Sequence, residues 1–88
     1  EGSIIMHGAI INACAEIGKN TIINTGVLIE HDTLIEDNCH VATRAVINGN
    51  CLVQKNTFIG SNSTIINNIK IGRFKFIKAN SLIKKDLI

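Results

Sequence analysis

The sequence has no proline, no tryptophan and no tyrosine, and its aromatic content is three phenylalanines. Without large rings to fill a broad interior, an 88-residue chain that is 45% hydrophobic must pack Ile, Leu, Val and Ala into a thin, uniform core. The absence of proline suits a body in which nearly every backbone N–H is needed by a neighbouring strand. Cysteine is scarce as well. Cys14, Cys39 and Cys51 are odd in number and show neither CxxC nor Cys/His spacing, which argues against a disulfide framework and against a zinc site. A reducing, cytoplasmic setting is the resulting expectation. No apolar run reaches the roughly 18 residues that a spanning helix needs, and no signal peptide is visible, so no membrane association is expected. The net charge is only +2 and no stacking aromatics accompany the basic residues, which speaks against nucleic-acid binding. A chain this short buries a smaller share of its surface than a larger one. It is therefore expected to be a repeat, an oligomer or a piece of a longer protein. The start at Glu1 without Met and the stop at Ile88 without a cap favour a domain cut from a longer chain.

What the sequence does contain is a strict period of six. Stepping from Ile5 by six residues reaches Ile11, Ile17, Ile23 and so on to Ile83, and all fourteen positions are Ile or Val with no insertion. Four residues after each aliphatic stands a mostly small residue, as at Thr21, Thr33, Cys39, Cys51, Thr57 and Ser63. Three after it, eleven of fourteen positions are Gly, Asn or Asp, the residues that tolerate a left-handed backbone at a sharp turn. A helix cannot produce this pattern, because a period of six drifts around a 3.6-residue turn. A hairpin sheet would need strict alternation and variable turns. A short strand and a corner, repeated, fit. Three hexapeptides close one triangular coil, and residues 1–88 are predicted to form an all-β, left-handed parallel β-helix of about five coils stacked about 4.8 Å apart. The register is least regular at the C-terminal end, where Phe74 takes a corner and Lys75 a nominally interior place.

In this frame Glu30-His31-Asp32 is the one place where an imidazole adjoins carboxylates and a second imidazole, His40, follows nine residues later. His31 projects outward just before a corner, Asp32 is the corner, and Gly49, eighteen residues on, leaves a notch over the imidazole. His40 stands in an outward series that is mostly apolar, as at Ile22, Leu28, Leu34, Val46, Leu52 and Phe58. A general base needs an orienting acid beside it and a neighbouring donor for the electrophile. Each residue alone has a plain explanation. A polar turn accounts for His31, corner geometry accounts for Asp32, and a surface position accounts for His40. His7 shares the phase of His31 but is followed by Gly8 and has no companion imidazole, so it is read as an ordinary surface residue. Cys39 lies next to His40 in the small interior phase and is read as core rather than nucleophile.

The run IINTGVLIEHDTLIEDNCHVATRAVINGN, with His31-Asp32, His40 and Gly49 at intervals of nine, resembles a segment of the bacterial sugar acetyltransferases of the hexapeptide-repeat acyltransferase superfamily. These are the sialic-acid O-acetyltransferase-like enzymes and the N-acetyltransferases acting on UDP-linked 4-amino sugars. The resemblance implies that acetyl-CoA donates the acetyl group and that no metal takes part. His31 would be the general base, with Asp32 fixing its tautomer and raising its basicity. The thioester oxygen would point to the Gly49 amide, and His40 would contact acetyl-CoA from beside the same notch. Backbone groups at Ser61 and Ala79 would meet the pantetheine, and Asn24 would position the acceptor, an amino sugar or sugar nucleotide. The family implies a homotrimer with sites between prisms, and a nucleotide-sugar-binding domain preceding this one. Six of the nine basic residues fall in the last nineteen positions, a basic end that suits the phosphates of coenzyme A.

Three other functions share this fold. A non-catalytic β-helix would keep the fold alone and serve as a structural or trimerisation module. A carbonic anhydrase of this type needs three His on a metal, and the spacing of His7, His31 and His40 does not match that pattern. An ice-binding solenoid would show flat ladders of Thr, and the outward positions here are too mixed.

Overall fold

The computed structural model describes residues 2–88, and every regular element among them is a strand. Fourteen two-residue strands, numbered in chain order from β1 (Ile4–Ile5) to β14 (Leu82–Ile83), start at every sixth residue. They lie in three parallel sheets that the chain visits in rotation. The first stacks β1, β4 (Ile22–Ile23), β7 (His40–Val41), β10 (Phe58–Ile59) and β13 (Phe76–Ile77). The second stacks β2 (Ile10–Ile11), β5 (Leu28–Ile29), β8 (Val46–Ile47), β11 (Thr64–Ile65) and β14. The third stacks β3 (Glu16–Ile17), β6 (Leu34–Ile35), β9 (Leu52–Val53) and β12 (Lys70–Ile71). Each residue pairs with the one eighteen further on, as Ile23 does with Val41 and Leu34 with Leu52. Fourteen strands at three to a coil make four complete coils and two strands of a fifth, a left-handed β-helix as the repeat predicts.

The repeat builds this prism because each of its positions has one job. The aliphatic points inward, and Ile23, Ile29, Ile35, Ile47, Ile59, Ile65 and Ile71 are fully buried. Burying one such side chain stabilises by about 1.5–3 kcal/mol, so the stack of identical branched residues is the main driving force. Among the described residues the inward Ile5 of the first coil is 47% exposed.

At the corners the backbone turns into the left-handed region at every residue of the predicted phase from Gly8 to Asn80. Cys14, Arg44 and Phe74 adopt it too, at φ of 61°, 61° and 58°, although such residues pay roughly 1–2 kcal/mol there. Ladder bonds between stacked corners impose it: the Arg44 amide donates to Thr25 O at 2.9 Å and that of Phe74 to Lys55 O at 3.1 Å. The last residue of the phase, Asp86, leaves the pattern. Its carboxylate accepts from the Lys70 amide at 2.8 Å, and the chain closes onto β12 through the Ile71–Leu87 bridge.

The small interior position does more than save space. Thr33 Oγ1 donates to Asn48 O at 2.8 Å and accepts from the Cys51 amide of the next coil at 3.1 Å. Thr21 and Thr57 make the same pair of bonds. These hydroxyls satisfy corner groups that would otherwise be buried without partners. Cys39 and Cys51 take the place of a hydroxyl, their thiols donating to Gln54 O at 3.3 Å and Ile66 O at 3.1 Å. Burial raises both thiol pKa values above the ordinary range.

Candidate active site

The edge at which the second sheet turns into the third carries a column of residues eighteen apart: Ala13, His31, Gly49, Asn67 and Lys85. Strand β5 ends at Ile29, so Glu30 emerges on the side of the second sheet while His31 and Asp32 form the turn. Asp32 has φ 60°, and its amide donates to Ala13 O at 3.1 Å. That bond locks the corner, and the corner sets the aim of His31.

His31 Nδ1 lies 3.1 Å from Asp32 Oδ2. A carboxylate only accepts, so Nδ1 carries the hydrogen and Nε2 presents a lone pair. The ring covers Gly49, where a Cβ would fall 2.6 Å from Nε2 and 2.7 Å from Cε1. Gly49 does not have the left-handed φ of the corner glycines; it is needed here because the ring approaches so closely. Its amide donates to no acceptor among the described residues, while its carbonyl accepts from the Asn68 amide at 3.0 Å. Beside the ring opens a cleft of about 300 Å³ lined by Glu30, His31, Asn48, Gly49 and Asn67. Asn12 Nδ2 donates to Glu30 Oε1 at 2.7 Å, and Asn48 Nδ2 donates to Ile65 O at 3.0 Å. The side chains of His31 and Asp32 are 65% and 58% exposed, so their pairing adds little stability. What it contributes is orientation.

The remaining expected site residues lie elsewhere on the prism. His40 faces out from the first sheet, the side opposite the His31 edge. Its Nε2 is 3.5 Å from Asn24 Nδ2, and its ring meets Phe58 edge-on at 5.2 Å. Phe58 in turn stacks on Phe76 at 5.0 Å. Ser61 and Ala79 stand one above the other on the edge between the first and second sheets, where the Asn80 amide donates to Ser61 O at 2.8 Å. The expectation that His40 sits beside the His31 notch therefore fails within one prism. Eighteen residues return the chain to the same edge, as with Gly49, but nine carry it half a coil round to the other side.

The structure thus brings His31, Asp32 and Gly49 together in one group and Asn24 with His40 in another, while Ser61 and Ala79 stand in later coils at the edge between the first and second sheets. It adds Asn12, Glu30, Asn48 and Asn67 to the first group. Stepping by eighteen from Glu30 and from His31 would have found the three asparagines. Among the described residues no group of three or more His, Cys, Asp or Glu could hold a metal ion, and no helix is long and apolar enough to cross a membrane.

The sequence pattern of the bacterial transferase hexapeptide family (six repeats) matches residues 14–49 and again residues 32–67. No curated protein sequence matches the chain. Among solved structures, the chain is similar to a point mutant of perosamine N-acetyltransferase from Caulobacter crescentus in complex with CoA and GDP-perosamine. The two share 24% sequence identity with a TM-score of 0.90, over 98% of this chain and 47% of that one. The chain thus spans about half the length of that protein.

Proposed function

Since the chain belongs to the bacterial transferase hexapeptide family, we propose that it is an acetyl-CoA-dependent acetyltransferase acting on an amine or hydroxyl of a sugar or sugar nucleotide. The observation that carries this reading is the His31 group: a lone pair on Nε2, held in place by Asp32 on the far nitrogen, above a glycine with an uncommitted amide. His31 takes the proton of the acceptor as its nitrogen or oxygen attacks the thioester carbonyl. Asp32 keeps the accepting nitrogen free and stabilises the imidazolium that forms. The Gly49 N–H stabilises the negative charge that develops on the carbonyl oxygen. Collapse of that intermediate breaks the C–S bond, and the proton on His31 goes to the departing thiolate. No covalent acyl-enzyme is needed.

The split of the residues between opposite sides of the prism supports a site shared by two copies, and hence a homotrimer. The His31 edge of one copy would face the His40 side of the next, so that Ser61, Ala79 and the basic C-terminal end contribute to coenzyme A binding from across the groove. The exposure of the His31–Asp32 pair supports the same reading, because a working site must exclude water that a lone prism admits. The neighbouring structure in complex with CoA and GDP-perosamine agrees with the proposed substrate class.

The test is coenzyme A binding followed by thiol release with nucleotide-linked amino sugars. His31→Ala is expected to reduce transfer by about 10²–10⁴-fold with coenzyme A affinity retained. A wild-type protein that neither binds coenzyme A nor releases thiol would leave the fold as a structural module instead.

A further inference from the structure

The hydrogen-bond roles in the His31 cleft are fixed by partners that can only accept. Asn12 contacts a carboxylate oxygen of Glu30, so it must offer its NH₂ group there, which holds Oε1 and leaves Glu30 Oε2 uncommitted. Asn48 contacts the carbonyl of Ile65, so it too must offer NH₂, which leaves its Oδ1 as the free atom. His31 donates Nδ1–H to Asp32 and shows a lone pair at Nε2. Three of the side chains lining the cleft are therefore acceptors, and each is held that way by a bond outside the cleft. Asn67, whose amide carries both a donor and an acceptor, lines the same cleft.

We infer that the His31 cleft recognises an acceptor by its hydrogen-bond donors, a nucleophilic amine or hydroxyl flanked by a ring hydroxyl, with Glu30 as the specificity-determining residue that accepts from that neighbouring hydroxyl. The inference rests on the acetyltransferase reading above and refines it. Phosphate or carboxylate groups are acceptors themselves and would meet Glu30 unfavourably, so the phosphates of a nucleotide-linked sugar must lie outside this cleft. A sugar offers donors on adjacent carbons, and a carboxylate oxygen accepts from them with charge-assisted strength. Asn12 acts through Glu30 and is a positioning residue.

Glu30→Gln is the informative variant, because its amide oxygen can keep the bond from Asn12 while its NH₂ replaces the free acceptor by a donor. The ligands are a nucleotide-linked 4-amino sugar and its counterpart lacking the hydroxyl next to the amine. Calorimetric binding and thiol release are both measured on the full-length protein. Wild type is expected to bind the hydroxylated ligand about tenfold or more tightly than the deoxy ligand, the scale of one hydrogen bond to a charged group. Glu30→Gln is expected to lose that preference, with KM raised for the hydroxylated acceptor and kcat held within a few-fold. Equal losses for both ligands in Glu30→Gln, equal binding of both by wild type, or no binding of either would overturn the inference. Discriminating binding without thiol release would leave it standing and remove the acetyltransferase reading.

Discussion

The imidazole of His31 lies against Gly49 so closely that a methyl group on that residue would stand 2.6 Å from Nε2. Gly49→Ala is therefore expected to swing the ring off its position without unfolding the prism, since the backbone there is one that alanine can adopt. A displacement of about 1 Å at a reacting group can cost about 10²-fold. Thiol-release rates should fall by about that factor while thermal unfolding stays within a few degrees of wild type. An unchanged rate would show that the contact has no functional role.

Asp32 serves the corner and the imidazole at once, and Asp32→Asn separates the two roles. Asparagine tolerates the left-handed conformation, so stability should change by no more than about 0.5 kcal/mol. Its NH₂ group can donate to Nδ1 and so favour the tautomer with hydrogen on Nε2. That tautomer cannot act as a base, and turnover is expected to drop at least about tenfold. Equal turnover would confine Asp32 to the turn.

Thr33→Val tests the interior hydroxyl ladder. The variant keeps the volume and strands the Cys51 amide and the Asn48 carbonyl, both partners of Thr33 Oγ1. A buried group left unpaired costs about 1–3 kcal/mol, readable as a lower urea midpoint with unchanged slope. Thr33→Ser keeps both bonds and loses one buried methyl, about 0.8 kcal/mol, so it should be the milder change. Equal or greater stability of the valine variant would show that the hydroxyl is dispensable.

Phe74 holds a left-handed conformation at φ 58° while 69% exposed, above a column of Asn20, Asn38 and Asn56. Continuing that column with Phe74→Asn should relieve strain and raise stability by about 0.5–1 kcal/mol. A loss of stability instead would mean that the ring makes contacts that outweigh the strain.

Cys39 and Cys51 have thiol pKa values raised first of all by burial. The unfolded chain ionises these thiols at lower pH than the folded chain does. Their contribution to stability is thus present through neutral pH and is lost as pH rises from the ordinary thiol range through the folded values. Denaturant titrations at increasing alkaline pH should show that decline, weakened in the double variant Cys39→Thr with Cys51→Thr. At pH 8, the exposed Cys14 should react rapidly with a thiol reagent and the other two only on unfolding.

Much of the molecule was legible in one dimension because its architecture is nearly one-dimensional. The period of six places Ile, small residue and corner without reference to anything distant, and the interval of eighteen puts Gly49 over His31. Asp32 as a corner residue followed from the same count. The interval of nine between His31 and His40 is equally visible in the chain, but the path bends three times per coil, so adjacency in the motif becomes opposition across the prism.

Residue spacing alone therefore determined the β-helix, its corners and the edge that carries His31. Only the folded prism decided which groups face one another. The bonds that side chains make across coils, Asn12 to Glu30 and Asn48 to Ile65 O, set which atoms the cleft presents. The physical reason is that backbone pairing follows from a repeated local pattern, whereas a site depends on where side chains of different coils and sides converge.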